Sequence, residues 1–158
     1  MSHLLLSELN KAKKACGSGA EEQGGFMLEK DHTYHFIQIK NAFKGLLKAK
    51  VLYQADTEEF GKKVIPLLID GWNMHASFHT HPNGLSANPS RIDLQQLFLG
   101  HQTNYIYAPA SDVLVKYHQA KVNEDEVFLD KNTKSFISLL ASKTTPYKTV
   151  IWQQSYVR

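Results

Sequence analysis

The chain has few of the residues that mark secreted, membrane-spanning or nucleic-acid-binding proteins. Its single cysteine, Cys16, has no partner for an internal disulfide, which fits a reducing compartment and predicts a cytoplasmic protein. No stretch approaches the ~20 apolar residues that span a bilayer, and Leu4-Leu5-Leu6 is too short for the core of a signal peptide. Arginine occurs only at Arg91 and Arg158, so the chain lacks the arginine–aromatic pattern of a nucleic-acid surface. We therefore expect neither a membrane nor a nucleic acid as a partner.

The remaining composition is that of an ordinary globular protein. The chain has 158 residues, of which 42% are hydrophobic and 21% are charged, and its formal net charge is +3. A chain of this length can bury a proper core as one domain, so we predict a single domain over residues 1–158. No internal repeat or low-complexity segment divides the sequence.

The most informative segment is His79-Thr80-His81-Pro82. Residues i and i+2 of an extended strand point to the same face, so His79 and His81 can hold one metal ion from one side. The proline lacks a backbone N–H and ends the strand. Residues 83–89 are rich in turn formers, so the chain can reverse there and return Asp93 as an oxygen ligand. Two histidines and one carboxylate are a known ligand set of catalytic zinc, whose fourth position is left for water.

These residues also have ordinary structural interpretations. Ser90-x-x-Asp93 before an apolar helical pattern is typical of a helix N-terminus, with the serine as the cap. The two interpretations are compatible, because a helix start is a rigid place to mount a ligand. Alternation along the strand predicts that His75 shares the face of His79. The other histidines are interpreted as ordinary polar side chains: His3, His32, His35, His101 and His118.

The segment resembles the signature of the JAMM/MPN metalloproteases, with matches at His79, His81, Pro82, Ser90 and Asp93. The spacer before the serine is slightly longer than the family's usual one, which a loop absorbs easily. Members of this family also carry a glutamate far upstream, often followed by glycine and apolar strand residues. Both Glu21 and Glu22 precede such a run here, and we prefer Glu22 because Gly25 in Glu22-x-x-Gly25 is followed directly by the apolar residues.

The resemblance implies a fold, a cofactor and roles for individual residues. The implied fold is α/β, an MPN-like (cytidine-deaminase-like) mixed β-sheet flanked by helices, and the likeness covers about 1–118. Zn²⁺ would be held by His79, His81 and Asp93. Glu22 would act as the general base, and Ser90 would donate a hydrogen bond to the oxyanion.

The implied function is zinc-dependent hydrolysis of a peptide or isopeptide bond next to the C-terminus of a ubiquitin-like protein. An extended tail of that partner can add to a sheet edge near the zinc. Two alternatives stay open. One is a non-catalytic MPN scaffold, although such relatives usually lack the zinc ligands present here. The other is a RadC-like DNA-associated protein, which carries a similar motif but usually adds a DNA-binding helical segment, for which the stretch before Glu22 leaves no room.

Hydrophobic periodicity predicts alternating helices and strands. Leu5, Leu9, Ala12 and Cys16 predict an amphipathic helix over 4–16. Asp56 predicts the cap of a second helix that ends near Gly71, and Pro66 within its apolar stripe argues against an unbroken helix. Further helices are predicted from Asp93 to Gly100 and over about 132–143. Strands are predicted at 22–28, 34–40, 51–53, 72–78, 104–107, 113–117 and 149–152, of which the first two form a hairpin.

Overall fold

The structure is a computed structural model that describes residues 1–90, 92–93, 103–120, 133–137 and 151–157. Its helices are α1 (His3–Cys16), α2 (Thr57–Lys63) and α3 (Ile65–Ile69), and a short 3₁₀ helix covers Leu47–Lys50. Its strands are β1 (Gly24–Lys30), β2 (Thr33–Ile39), β3 (Asn73–Thr80), β4 (Thr103–Ala108), β5 (Val113–Ala120), β6 (Thr133–Ile137) and β7 (Ile151–Tyr156).

All of these strands belong to one sheet, in the order β2-β1-β3-β4-β5-β7-β6. Strands β3 and β4 run parallel, whereas the other neighbours are antiparallel. The parallel pair makes the sheet mixed, and helices flank it. The predicted α/β class with a mixed sheet is therefore confirmed. None of the helices in the described ranges is long and apolar enough to cross a membrane.

The β1–β2 hairpin forms as the sequence predicts. Its strands are joined by Asp31 and His32, whose φ angles are 50° and 62°. Positive φ at both central residues is the mark of a type I′ turn, whose twist matches that of the strands it joins. The predicted helix over 4–16 is also confirmed, since α1 buries Leu5, Leu9, Ala12 and Cys16 against one face of the sheet.

The predicted strand at 51–53 is wrong. Val51 follows the 3₁₀ helix in a turn, and the carbonyl of Leu52 accepts a hydrogen bond from the Asn41 side chain at 2.8 Å. A side-chain amide therefore satisfies a backbone group that a neighbouring strand would otherwise have satisfied. The next helix begins as predicted, because the Asp56 carboxylate caps it at the Glu59 amide (3.0 Å). The single helix predicted here is divided into α2 and α3, and Pro66, which argued against an unbroken helix, lies in the first turn of α3.

The predicted helix over 132–143 is wrong where the structure describes it. Residues Thr133–Ile137 form β6, which pairs with β7 so that Phe136 lies opposite Trp152. Residues 138–143 lie outside the described part. The predicted closing strand is confirmed as β7, with later bounds. Of the helix predicted after Asp93, only 92–93 are described, and both are helical.

Strand β2 lies at an edge of the sheet, and two carboxylates bind its outward-facing amides. The Phe36 N–H donates to Glu8 Oε2 at 3.0 Å, and the Lys40 N–H, just past the strand, donates to Glu59 Oε1 at 3.3 Å. Glu8 is buried and pairs with Lys11. Burial works to raise the pKa of Glu8, but the Lys11 ammonium and the Phe36 amide hold it below its usual value. The Glu8 contact attaches α1 to β2, and the Glu59 contact attaches α2 to the end of the same strand.

We expect Glu8→Ala to lower the free energy of unfolding by about 1–3 kcal/mol, because it leaves the Phe36 amide without its acceptor. Denaturant unfolding at neutral pH measures this change. The depressed pKa means that the contribution is complete above the unfolded-state pKa and is lost as the pH falls through the folded-state value. The control is Glu58→Ala, which removes an exposed i,i+4 pair with Lys62 and should cost at most about 0.5 kcal/mol. Equal losses in both variants would contradict this role.

Candidate metal site

The end of β3 is fixed by hydrogen bonds on both sides. The Thr80 N–H donates to the Gln23 carbonyl at 2.8 Å, and the Gln23 N–H donates to Thr80 Oγ1 at 3.0 Å. On the other side, the His81 N–H donates to the Tyr107 carbonyl at 2.8 Å. His79 and His81 are therefore mounted on backbone that is held by β4 and by the segment preceding β1.

The two imidazoles face each other as their i, i+2 spacing predicts. Their Nε2 atoms are 3.2 Å apart, and both residues are buried. His81 Nδ1 lies 2.7 Å from the Ser86 carbonyl, to which it donates its proton, so Nε2 keeps its lone pair for a ligand. The Tyr53 ring stacks parallel to the His79 ring at 6.2 Å between centroids, while its hydroxyl donates to the Ile39 carbonyl at 2.9 Å. Each imidazole therefore has its own orienting contact.

Asp93 lies beside both histidines. Its Oδ1 is 3.2 Å from His79 Nε2, and its Oδ2 is 3.3 Å from His81 Nε2. The Ser90 N–H donates to Asp93 Oδ2 at 2.7 Å, and the Asp93 N–H donates to Ser90 Oγ at 3.1 Å. This reciprocal pair confirms the predicted cap at Ser90, and it holds the carboxylate against the imidazoles. Burial would raise the pKa of Asp93, but the two imidazoles and the Ser90 amide hold it far below its usual range.

Glu22 completes the cluster. It is 3% exposed, and its Oε1 lies 3.8 Å from His81 Nε2. Burial raises the pKa of Glu22, and the nearby Asp93 adds to this effect, although the histidines oppose it. The neighbouring Glu21 lies elsewhere, because its carboxylate accepts a hydrogen bond from the Gly45 amide at 2.9 Å. Of the two glutamates, it is Glu22 that lies at the histidine pair.

Two contacts hold the backbone of Glu22. Its N–H donates to the Ala49 carbonyl at 2.6 Å, and its carbonyl accepts from Asn41 Nδ2 at 3.0 Å. Asn41 is buried, and its Oδ1 also accepts from the Phe43 amide at 3.0 Å. The loop between β2 and α2 is therefore attached directly to the glutamate. Sequence reasoning missed Asn41, Tyr53 and Ser86, because nothing in their local sequence indicates which distant group they contact.

Glycine at position 24 is required by the close packing around His79. A Cβ there would lie 2.3 Å from the Phe78 carbonyl oxygen, 2.9 Å from the Tyr53 ring and 3.0 Å from His79 Cβ. Gly25 is equally confined, since a Cβ there would lie 2.0 Å from the Ile37 carbonyl oxygen. The paired glycines after Gln23 thus allow β1 to approach β2 and β3 closely, which brings Glu22 to the histidines.

His75 does not lie with His79, so the expectation from alternation is wrong. The register between β1 and β3 shifts between Met27 and Leu28, which pair with Ala76 and Met74 and leave His75 as a bulge. His75 instead contacts the Tyr34 ring and lies 3.4 Å from Glu29 Oε2. A bulge changes which face of the sheet the side chains on its far side point to. The sequence pattern does not reveal that a bulge is present.

The buried group formed by Glu22, His79 and His81 could hold a metal ion, since one ligand atom from each lies within 4.8 Å of the others. Asp93 adds an ionised carboxylate within 3.3 Å of both ring nitrogens. Lone pairs brought this close in a buried site are stabilised by a shared cation. The sequence-predicted metal ligands and the predicted base are therefore brought together in one cluster, while Ser90 Oγ sits at its rim on the cap of the helix.

A comparison of the chain with models of protein families and with curated proteins finds no match. The function is therefore inferred from the chemistry of these side chains.

We expect the purified protein to carry about one equivalent of a divalent metal ion, because two imidazoles and the adjacent Asp93 carboxylate can share one cation. Elemental analysis before and after addition of metal measures it. His81→Ala should abolish binding, whereas His75→Ala, which removes the bulged imidazole of the same strand, should retain it. A wild-type protein that takes up no metal, or a His81→Ala variant that keeps it, would contradict the site.

Proposed function

We propose that the protein is a zinc-dependent hydrolase of the JAMM/MPN type that cleaves a peptide or isopeptide bond next to the C-terminus of a ubiquitin-like protein. One observation carries this proposal. Glu22 Oε1 lies 3.8 Å from His81 Nε2, and His79 and His81 both contact the Asp93 carboxylate. The MPN-like identity of the mixed sheet is part of the proposal.

The spacing of the donors supports zinc as the metal. Ligands about 2.0–2.1 Å from a tetrahedral zinc lie about 3.3 Å from one another. The Nε2 atoms of His79 and His81 are 3.2 Å apart; Asp93 Oδ1 lies 3.2 Å from the first and Asp93 Oδ2 lies 3.3 Å from the second. These three side chains would hold the metal. Zinc bound there would supply Lewis acidity and lower the pKa of a water to about 7.

Glu22 is suited to move a proton in this site. Burial raises its pKa, so its carboxylate is a better base than a solvated one. During attack on the carbonyl carbon, Glu22 would take a proton from the attacking water and then give it to the leaving amine. The hydrogen bonds from Asn41 and to Ala49 hold the backbone of the residue while it does so.

Ser90 can donate a hydrogen bond to the oxyanion. Its Oγ accepts a hydrogen bond from the Asp93 amide, which leaves the hydroxyl proton free to donate to substrate. The residue is exposed, so a bound carbonyl can reach it. Losing a donor of this kind typically costs about 2.7–4 kcal/mol of transition-state stabilisation.

A purely structural role is a poor explanation for this cluster. Burying Glu22, His79, His81 and Asp93 carries a desolvation cost that apolar residues of the same volume would avoid. A scaffold that acts only through surface contacts would gain nothing from burying these side chains. Perturbed, clustered carboxylates and imidazoles are instead typical of catalytic centres.

A folded protein partner is favoured by the loop attached to Glu22. Leu46, Leu47 and Val51 are 54%, 81% and 63% exposed, and they flank Ala49, whose carbonyl binds the Glu22 amide. Exposed apolar side chains grouped this way typically mark a protein contact. The loop can therefore receive the folded body of a modifier while its tail enters the site.

We expect Glu22→Gln to keep the fold and the zinc and to lose turnover, because an amide cannot accept the proton. Turnover is followed with a ubiquitin-like protein fused through its C-terminal tail to a fluorescent reporter, and zinc by elemental analysis. The matched control is Glu21→Gln, one residue away, which should remain active. An active Glu22→Gln variant alongside an inactive Glu21→Gln variant would reverse the assignment.

We also expect the fused modifier to be cleaved with a higher kcat/KM than its tail peptide alone, because binding of the folded body positions the tail. Leu47→Asp should reduce kcat/KM for the fusion and leave the peptide unchanged. The control is Ile69→Asp, which places the same charge at an equally exposed residue (82%) on α3. Equal rates for fusion and peptide in the wild-type protein would indicate a general peptidase.

A further inference from the structure

A cleft of about 410 Å³ opens directly beside Glu22. Residues 19–23 form one wall, and the end of β2 with the start of the following loop forms the other. Ile39 lies buried at its base. Glu22, the residue that would act on the scissile bond, is among the residues that line the cleft, so a substrate residue near that bond can reach it.

Most polar groups of the cleft are already engaged within the protein. Gln38 Nε2 donates to Gln23 Oε1 at 3.2 Å, and Asn41 uses both atoms of its amide on the loop backbone and Glu22. The Glu21 carboxylate accepts from the Gly45 amide. Lys40 lies 3.8 Å from Asp56 Oδ2, which partly balances its charge.

Lys44 differs from Lys40, the other lysine that lines the cleft. It lines the cleft, it is exposed, and among the residues that the structure describes no ion pair involves it. A lysine ammonium on a flexible stem can follow a charged ligand along a groove. The positive charge that the cleft offers to a ligand is therefore concentrated at Lys44.

The path of a substrate is also restricted here. The edge amides of Phe36 and Lys40 are bound to glutamates, which occupies two of the backbone donors along that edge.

We propose that this cleft receives an acidic side chain of the substrate segment beside the scissile bond, and that Lys44 is the residue that selects it. The inference rests on the proposed hydrolase function and deepens it, since it names a chemical property of the substrate. The selected group is a carboxylate, and the selectivity follows from the charge of a single lysine.

The test measures binding separately from cleavage. The probes are fluorescein-labelled hexapeptides of alternating glycine and alanine in which each position in turn carries Glu, Gln or Lys. Their affinities for the zinc-loaded Glu22→Gln protein are measured by fluorescence polarisation. At one position, the Glu peptide should bind about fivefold more tightly than the Gln peptide, since an exposed ion pair contributes up to about that factor.

Charge reversal then tests Lys44 itself. Lys44→Glu should invert the order so that the Lys peptide binds best, and Lys44→Gln should remove the preference. Lys50→Glu is the matched control, because it makes the same charge change on the same loop outside the cleft, and it should leave the order unchanged. Retained zinc and circular dichroism check that each variant is folded.

The outcomes separate this inference from the proposed function. Equal affinity for the Glu, Gln and Lys peptides at every position would overturn it, as would an equal effect of Lys50→Glu and Lys44→Glu. The peptide preference could invert in Lys44→Glu while the wild-type protein cleaves none of the probes or fusions. That result would support the proposed role of the cleft and contradict the proposed hydrolase function.

Discussion

The hydrogen bonds between Gln23 and Thr80 determine where everything else in the site lies. They join the segment before β1 to the last residue of β3, and the His81 amide is bound in turn by the Tyr107 carbonyl. Glu22 precedes Gln23, and the histidines flank Thr80, so this one pairing brings residues more than fifty positions apart into contact. The geometry of the cluster is therefore a property of the sheet, which is far more rigid than a loop.

The parts of the structure that were predictable are those in which local chemistry decides the outcome. The apolar spacing of α1, the cap at Asp56 and the break at Pro66 each act within a few residues. The facing pair of His79 and His81 follows from alternation over a single step. Alternation failed at His75, because His75 is itself the bulged residue of β3. The helix predicted over 132–143 was wrong at 133–137, because pairing with β7 outweighs an ambiguous apolar spacing.

The residues of the site also divide into those that the local sequence indicates and those that it does not. Spacing alone singled out the histidine pair and Asp93, while the choice of Glu22 came from a family resemblance and its role stays a prediction. Asn41, Tyr53 and Ser86 carry no local signal, because each acts on a group that folding brings to it.

Asp93 shows that one motif can have two structural roles. Its carboxylate accepts the Ser90 amide at a helix start and also meets both imidazoles, so a cap and a ligand are one feature.

The glutamates on the edge of β2 have a consequence for the protein in concentrated solution. An edge strand with open amides is a template on which a second chain can add and begin an aggregate. Glu8 and Glu59 occupy two of those amides with charged groups, and the pKa of each is held below its usual value, through Lys63 for Glu59. Self-association through this edge is thus opposed while the carboxylates stay ionised. Protonation of the two carboxylates in strong acid removes their charge and weakens this protection of the edge.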